Sequence, residues 1–361
     1  MSNLQFQSFH HDLDPTTTVM IDGHAPGFRM ISHWPDNGTP EPLRHDLTTG
    51  SAFLYQEMSD AARTDLVGDF SVITNNHYDT DGVLSLFAFL QPDVALRHED
   101  LILRTARAGD FAIWGGSDSL ALELAIMSDL GPFLPFSTPP FDDERLGNLS
   151  GLYVRTFDRL EALLENPFAL DGDSMQRFEE VRADIARVEA GEGYALTQYP
   201  EDDLAVIETD RPMTTFGLRL AAGNLFRILL VHSSERGNRY RFCFRGESWW
   251  DVVSVEPKPR VTLLGLAERL NQLERAKQGT WWAAPPDWTV PELGFGDPVT
   301  FRHQAVRFDP KTAYDPPSSL PIDVVVQELI NTLRTSEPYR PAAGSALAAN
   351  DLAPEESART P

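Results

Sequence analysis

The sequence predicts an α/β fold: a Rossmann-like N-terminal domain with a mainly parallel sheet, a helical connector and a smaller α+β C-terminal domain. Strand-like and helix-like segments alternate in the first part of the chain, and strand-like segments dominate from Gly193 onward. With 42% hydrophobic and 10% aromatic residues in 361, both parts can form cores. The expected divisions are 1–150, 151–192, 193–335 and a disordered tail, 336–361.

The elements of the first part follow from periodicity and from helix-breaking residues. The apolar segments 19–22 and 28–34 predict strands, and a helical stripe from Ala52 to Ala62 predicts a helix over 52–65. The next elements are a strand over 69–75, the polar turn HYDTDG, an apolar helix that Pro92 ends, and helices over 99–108 and 119–128. A strand, a polar turn and a helix form the first half of a βαβ unit, where open α/β sheets bind their ligands.

The second part begins with two longer helices and then changes to strands. The helices are predicted over 152–166 and 174–190, and the second is amphipathic. A further helix is predicted over 262–278 and a last one over 321–334. Alternating or continuous apolar runs predict strands over 203–209, 225–233, 239–246 and 248–257.

The chain is strongly acidic, with 30 Lys and Arg residues against 54 Asp and Glu and a formal net charge of −24. This charge repels phosphate backbones and anionic lipid, so it excludes non-specific binding to duplex nucleic acid or to membrane surfaces. No apolar run is long enough to cross a membrane, and Cys243 is the single cysteine. We therefore expect a cytoplasmic protein, and the sequence leaves its oligomeric state open.

The motif with the clearest chemistry is His77-x-Asp79-x-Asp81-Gly82, which lies between a predicted strand and a predicted helix. Alternate residues of an extended segment point to the same side, so its imidazole and two carboxylates can converge. The carboxylates would repel each other unless a divalent cation lay between them. The motif predicts a metal site with catalytic residues. The alternative is structural: a helix cap, an Asx turn and a hydrogen-bonded loop histidine.

Three residues outside the motif are predicted as supporting metal ligands. Seven of the nine histidines lie in the first 98 residues, which favours an N-terminal site. His33 lies at the end of a predicted strand, Asp46 precedes a predicted helix, and Asp110 follows one, so all three can approach the edge where His77 lies. For each of them a turn or cap role is the alternative.

The segment RYRFCFRGESWW in the second part predicts a contact with substrate. Its alternation places Arg241 and Arg245 on one face of a strand, and Ser248 follows that strand. Arginines in an acidic protein can receive an anionic group, to which a serine hydroxyl can add a hydrogen bond. The alternative is that these arginines pair with carboxylates of the protein itself.

The segment VITNNHYDTDGVLS, residues 72–85, resembles the first motif of the DHH phosphoesterases. The resemblance implies a cleft between two domains, with manganese held by a Rossmann-like N-terminal domain. It further implies a smaller C-terminal domain that binds the substrate phosphate, and hydrolysis of phosphodiester or phosphoanhydride bonds. We expect the chain to belong to a separate bacterial family that is distantly similar to these enzymes.

Motif and resemblance together predict a hydrolase that uses Mn²⁺ or Mg²⁺, with His77, Asp79 and Asp81 as catalytic residues. Its substrate would be a small anionic molecule with phosphoester or phosphoanhydride bonds, such as a nucleotide or a short oligonucleotide. The chain contains no Asp-His-His triplet and no Gly-Gly-Gly-His segment. That absence favours the alternative, a non-catalytic binding or scaffold protein on a degenerate DHH-like fold.

Overall fold

A mixed α/β architecture is seen in the computed structural model, with a four-stranded sheet, a six-stranded sheet and eleven α-helices in the described residues. The predicted α/β class is therefore confirmed at this level. The structure describes residues 4–128, 143–211, 213–235, 237–276, 279–288, 290–296 and 316–339, with only the backbone for 143–148.

The first sheet is parallel throughout, with strand order β1-β4-β2-β3. Its strands are short, and β2 is completely buried because helices cover it. Parallel strands present their carboxyl ends at one edge, and this edge carries the polar residues described below. The strands are β1 (Gln5–Phe6), β2 (Thr18–Ile21), β3 (Arg29–Ile31) and β4 (Val72–Thr74).

Six helices lie in the same part of the chain as this sheet, and they differ from the sequence prediction in two places. The helix predicted over 52–65 is two helices, because Ser59 breaks the first and accepts a hydrogen bond from Ala62 N–H to cap the second. Pro92 ends one helix but occupies the first turn of the next. The helices are α1 (Thr48–Glu57), α2 (Asp60–Val67), α3 (Thr80–Leu90), α4 (Pro92–Arg97), α5 (Glu99–Phe111) and α6 (Ser117–Met127).

Two long helices connect the sheets. Helix α7 (Asp143–Glu165) begins nine residues before its predicted start at residue 152, and α8 (Gly172–Glu189) lies close to its predicted range. Asp171 caps α8 by accepting a hydrogen bond from Ser174 N–H. The buried residues of α8 repeat at helical spacing and pack against α6 and against a later helix, Thr215–Ala222.

The second sheet has the order β5-β6-β7-β8-β10-β9 and is mixed: only β6 and β7 are parallel. Helices α10 and α11 pack over one face of this sheet and α9 over the other. Its strands are β5 (Tyr194–Tyr199), β6 (Leu204–Thr209), β7 (Arg227–Ser234), β8 (Gly237–Phe244), β9 (Thr280–Ala283) and β10 (Glu292–Gly296). The helices are α9 (Thr215–Ala222), α10 (Leu264–Leu273) and α11 (Ile322–Thr335).

The strand predicted over 248–257 is wrong. Residues 246–248 form a 3₁₀ turn, and the following segment pairs with no strand in the described part of the chain. Two of the apolar side chains that predicted a strand are partly buried for another reason: Trp250 and Val252 pack against the core of the first sheet. The prediction also missed β1, β5, β9, β10, α4 and α9.

The predicted domain divisions and the tail remain predictions. Apolar cores lie around the first sheet and on both faces of the second. Most of the predicted tail, 340–361, lies outside the described residues. Across the described ranges, we find no helix with both the length and the apolar character needed to cross a bilayer.

Glu123 of α6 provides a test of this packing through pH. Its Oε2 is buried and has no hydrogen-bond partner among the described residues, and burial raises its pKa from 4.5 to about 7, which Arg177 partly offsets. The folded chain therefore keeps a proton that the unfolded chain releases, so stability falls as pH rises from about 4.5 to 7. We expect Glu123→Gln to exceed the wild type in unfolding free energy by roughly 2 to 3 kcal/mol at pH 8, measured by urea denaturation.

The same measurement at pH 5 should show a much smaller difference, because both folded proteins are then uncharged at this position. Glu189→Gln, at an exposed position of α8, is the matched control and should follow the wild type at both pH values. A gap between Glu123→Gln and wild type that stayed constant between pH 5 and 8 would contradict the assignment.

Candidate metal centre

Polar side chains from three neighbouring strands meet at the carboxyl edge of the first sheet. Asp22 directly follows β2, His33 follows β3 by two residues, and His77 follows β4 by three. Asp79 is the N-cap of α3 and Asp81 lies in the first turn of the same helix. The strand ends and one helix start therefore supply five titratable groups to one place.

Asp22 lies at the centre of this arrangement. Its Oδ1 is 3.4 Å from His33 Nε2, and its Oδ2 is 3.4 Å from His77 Nε2. Its backbone has a positive φ of 50°, in the left-handed region that aspartate adopts more readily than most residues. The carboxylate thus faces two imidazoles at once, one with each oxygen.

Two groups of possible ligands share Asp22. In each group the ligand atoms lie within 4.8 Å of one another. We call Asp22, His77 and Asp79 the outer group, because the side chains of His77 and Asp79 are 16% and 22% exposed. The inner group is Asp22, His33 and Asp81, whose side chains are at most 1% exposed.

Asp110 joins the inner group from α5. Its Oδ2 lies 3.3 Å from His33 Nε2, which is also 3.7 Å from Asp81 Oδ2. In the described part of the structure, Asp110 Oδ2 and Asp22 Oδ2 are buried and accept no hydrogen bond of good geometry, although each faces an imidazole Nε2, that of His33 at 3.3 Å and that of His77 at 3.4 Å. Buried carboxylate oxygens of this kind are rare in folded proteins, and a bound cation satisfies them.

The pKa values of the group reflect its burial and crowded negative charge. Burial would raise the pKa of Asp22, but its contacts with the two imidazoles outweigh this and lower the pKa. Burial and the charge of Asp22 raise the pKa of Asp81 to about 7, and burial and the charge of Asp81 raise that of Asp110. Burial would lower the pKa of His77, but Asp79 and Asp22 raise it to about 10.

Helix α1 holds Asp81 in place. The backbone N–H of Thr48 donates to Asp81 Oδ2 at 2.7 Å, and the N–H of Thr49 donates to Oδ1 at 3.0 Å. These are donors at the free N-terminus of α1, where a negative charge is favoured. The Thr48 hydroxyl also donates to Asp22 Oδ1 at 2.7 Å. The backbone of this turn therefore orients Asp81, and the Thr48 side chain orients the shared Asp22.

His33 is fixed through its other ring nitrogen. Nδ1 lies 2.6 Å from the carbonyl oxygen of Asp46. A carbonyl oxygen can only accept, so Nδ1 carries the proton and donates. In the neutral ring this leaves the Nε2 lone pair facing Asp22, Asp81 and Asp110, which is the usual arrangement of a histidine that binds a metal.

Gly82 and Asn75 allow the motif to pack tightly. A Cβ at position 82 would lie 2.9 Å from Asn75 Nδ2 and 3.0 Å from Asp79 Oδ1, so only glycine fits without displacement. Asn75 Nδ2 donates to the carbonyl oxygens of Ile21 and Asp22, both at 2.9 Å. The glycine of the motif thus permits a contact between β2, the loop after β4 and α3.

The structure combines the two interpretations of the motif. Asp79 caps α3 by accepting a hydrogen bond from Gly82 N–H on Oδ1, as the structural alternative proposed. Its Oδ2 lies 2.9 Å from His77 Nε2 and belongs to the outer group. The capping bond orients the side chain, so it does not compete with a role in metal binding.

Asp46 differs from its prediction. Its carboxylate accepts hydrogen bonds from the N–H groups of Val253 and Ser254, both at 2.8 Å, and from the Ser254 hydroxyl. It belongs to neither ligand group, and its contribution to the site is the carbonyl oxygen that orients His33. The predicted position near the sheet edge is correct, but the side chain is engaged by the second part of the chain.

The predicted substrate contacts are engaged with protein groups. Arg241 pairs with Glu292 of β10. Arg245 is buried and pairs with Glu247, and the Ser248 hydroxyl donates to the Arg245 carbonyl oxygen at 2.7 Å. These contacts correspond to the alternative in which the arginines neutralise carboxylates of the protein. A substrate role for the three residues stays a prediction.

Asp22 is the residue that the sequence prediction missed. It ended a predicted strand, 19–22, of a sheet expected to be parallel, and a carboxylate at such a position is a signal for a ligand site. Asp110 was predicted to follow a helix. Because α5 continues to Phe111, Asp110 instead lies within the last turn of that helix.

The six side chains suit a pair of divalent cations. Four carboxylates carry the charge that balances two such ions, and two imidazoles add neutral donors. Carboxylates favour Mg²⁺ and Mn²⁺, and imidazole is accepted by first-row transition metals such as Mn²⁺. The Asp22 carboxylate offers one oxygen to each group.

The comparisons with known proteins place the chain in a family but give no activity. A protein-family model described as a family of unknown function (DUF6687) matches residues 2–341. No curated protein and no solved structure matches the chain. The resemblance to DHH phosphoesterases therefore stays a prediction, and function has to be argued from the side chains.

Asp110→Asn tests whether the site is arranged for a cation. Without metal, burial and the neighbouring carboxylates raise the pKa of Asp110, so an ionisable group at this position costs stability at pH 8, where the unfolded chain is ionised. Asparagine removes that cost, and we expect it to stabilise the chelator-treated protein by about 1 to 3 kcal/mol at pH 8. With saturating Mn²⁺ the wild type should gain more stability than the variant, because it keeps all its ligands. Thermal unfolding with EDTA and with Mn²⁺ measures both effects.

Asp100→Asn is the matched control, because Asp100 lies on the exposed side of the same helix and pairs only at the surface with Arg104. It should respond to EDTA and to Mn²⁺ as the wild type does. If Asp110→Asn destabilised the metal-free protein, or if Mn²⁺ stabilised it as much as the wild type, Asp110 would not belong to a cation site.

Proposed function

The chain belongs to DUF6687, a family of unknown function, and we propose that it is a hydrolase that uses two divalent cations, Mn²⁺ or Mg²⁺. The proposed reaction is hydrolysis of a phosphoester or phosphoanhydride bond. The proposed substrate is a small anionic molecule such as a nucleotide or a short oligonucleotide.

One observation carries this proposal: the Asp22 carboxylate lies between two ligand groups and presents a different oxygen to each. A bridging carboxylate is a means of holding two cations close together, which is the arrangement used by many enzymes that hydrolyse phosphate esters. A structural zinc site would instead need one closed set of four ligands. The purely structural alternative does not account for three carboxylates, those of Asp22, Asp81 and Asp110, that are buried around one imidazole nitrogen of His33.

The two groups differ in exposure, and this assigns them different tasks. The inner group is closed, so its residues hold a cation that substrate does not reach. His77 and Asp79 of the outer group are partly exposed and can meet a substrate. When bound, the cations supply charge neutralisation at the phosphoryl group and activation of water. Thr48 and the α1 N-terminus keep the carboxylates oriented throughout.

The acidity of the chain also agrees with a cation-dependent mechanism. A surface of net charge −24 repels an anionic substrate, and paired cations at the sheet edge reverse the local sign. Selectivity for a small substrate over duplex nucleic acid follows, since a long polyanion would meet the rest of the surface.

Three finer expectations complete the proposal. The parallel first sheet with ligands at its carboxyl edge supports a Rossmann-like N-terminal domain, and the mixed second sheet supports a smaller α+β domain on the substrate side. A single, partly buried cysteine supports a reducing compartment and a cytoplasmic location.

Metal counting with side-chain variants tests the proposal. We expect two Mn²⁺ per wild-type chain, one in Asp79→Asn, which damages only the outer group, and none in Asp22→Asn or in the double variant Asp79→Asn with Asp81→Asn. Hydrolysis should be absent in all three variants. The measurement is metal analysis of purified protein together with a screen of nucleotides and short oligonucleotides in Mn²⁺.

Asp65→Asn is the control, because Asp65 is exposed on α2 and belongs to neither ligand group. It should retain two cations and full activity. A wild type without bound Mn²⁺ would refute the metal centre. A wild type with two cations and no hydrolysis in the screen would contradict the enzyme and favour the binding or scaffold protein.

A further inference from the structure

A short segment from the second part of the chain lies against the inner group. We call residues 249–254 the clamp segment. It follows the 3₁₀ turn at 246–248, and it contacts the loop between β3 and α1 at several points. Some of these contacts reach Trp34, Asn37 and Arg44. The three described below end on His33 or on Asp46, the residue whose carbonyl oxygen orients His33.

The first contact is a ring stack. The indole of Trp250 lies parallel to the His33 imidazole, with centroids 4.4 Å apart and an angle of 7° between the planes. Phe111 approaches the same imidazole by an edge, at 6.3 Å and 65°. A parallel stack on a flat ring restricts rotation about the side-chain bonds, so it fixes the direction of Nε2.

The second contact is to the His33 backbone. Asp251 N–H donates to the His33 carbonyl oxygen at 2.7 Å, while the Thr48 hydroxyl is 3.2 Å from His33 N–H and accepts from it. The backbone of His33 is thus held on one side by the clamp segment and on the other by the start of α1. Two fixed backbone groups and a stacked ring leave the imidazole little freedom.

The third contact acts through Asp46. The Val253 and Ser254 N–H groups and the Ser254 hydroxyl all donate to the Asp46 carboxylate. These interactions lower the pKa of Asp46, although its burial opposes them. Hydrogen bonds to an ionised group are stronger than those between neutral groups, so they anchor the residue whose carbonyl oxygen accepts from His33 Nδ1.

We infer that the clamp segment is the positioning element of the inner cation site, with Trp250 and Ser254 as positioning residues for His33. Neither residue belongs to a ligand group. This inference rests on the proposed cation site and adds to it a partner for the inner group: the site is completed by a segment more than 200 positions away in the chain.

His33 needs such support because of what surrounds it. Its Nε2 faces the carboxylates of Asp22, Asp81 and Asp110 at 3.3 to 3.7 Å. Without a fixed ring, Nε2 could pair with any one of them and leave the others without a common centre. In the outer group, Asp79 is oriented by its cap on α3, and the His77 ring packs against Trp34, outside the clamp segment. Loss of the clamp should therefore affect one site of two.

Variants of the clamp segment test this inference through Mn²⁺ binding. We expect Trp250→Leu and Ser254→Ala each to weaken one of the two Mn²⁺ sites by about 10- to 100-fold, the range for residues that orient metal ligands. The other site should change less than threefold. Titration followed by the electron paramagnetic resonance signal of unbound Mn²⁺ resolves the two affinities.

Conservative variants separate positioning from a loss of folding. Trp250→Phe keeps a ring for the stack and Ser254→Thr keeps the hydroxyl, so both should bind Mn²⁺ nearly as the wild type does. Val255→Ala, at a position 40% exposed just beyond the segment, is the neutral control. Ser254→Ala removes a single hydroxyl, so we expect it to fold. The inference can then be tested with this variant even if Trp250→Leu does not fold.

The outcomes distinguish the two proposals. Two Mn²⁺ in the wild type with unchanged affinities in Trp250→Leu and Ser254→Ala would overturn the clamp and leave the cation site intact. Equal weakening of both Mn²⁺ sites would also overturn it, because the inference assigns the effect to the inner group alone. Absence of Mn²⁺ binding in the wild type would refute the proposed function and, with it, the clamp.

Discussion

Four carboxylates confined at one sheet edge, Asp22 and three around it, are the constraint on which the first part of the structure depends. Buried charges of one sign repel strongly where water is excluded, and such an arrangement persists only if other groups hold it. The N-terminus of α1 does so for Asp81, the capping bond does so for Asp79, and two imidazoles flank Asp22. The groups that counter this repulsion are placed by the ends of β2, β3 and β4, by the starts of α1 and α3, and by the close packing that Gly82 permits.

The second part of the chain is arranged by pairing its own charges. The arginines of β8 and its following turn interact with Glu292 and Glu247, and Arg334 of α11 forms two hydrogen bonds of 2.7 Å to Asp202. A buried guanidinium group is tolerated where a carboxylate or carbonyl oxygen accepts a hydrogen bond from each of its N–H donors. With 54 acidic residues against 30 basic ones, one-to-one pairing would leave at least 24 acidic residues without a basic partner. The remaining surface is therefore negative. The sheet edge differs from it because its Asp22 and Asp81 carboxylates are buried and lie beside two imidazoles.

Local patterns were sufficient to predict the parallel sheet, most helices and the position of His77, Asp79 and Asp81 at one sheet edge, because strand, turn and helix follow one another directly there. They did not predict that Asp81 groups with Asp22 and His33, whereas His77 and Asp79 form a separate group with Asp22. They were not sufficient for Asp22, whose role depends on a left-handed backbone and on the order of β2 between β4 and β3. The failure at 248–257 has the same origin. An apolar, β-branched segment predicts a strand, whereas here its side chains pack on a core built by residues far away in the chain. Hydrophobic periodicity predicts that a residue is buried, but it does not predict which residues it packs against.

The contact between Asp46 and Ser254 spans 208 positions of the chain, and this separation has a consequence for the order of events during synthesis. The parallel sheet, α1 and α3 are complete within the first 90 residues, so they can form while the chain is still on the ribosome. The support for His33 is made only after a further 160 or so residues have been translated. In the proposed cation site, the support for His33 would therefore be complete only after the second part has folded, and a chain truncated before Trp250 would hold its carboxylates without that fixed imidazole.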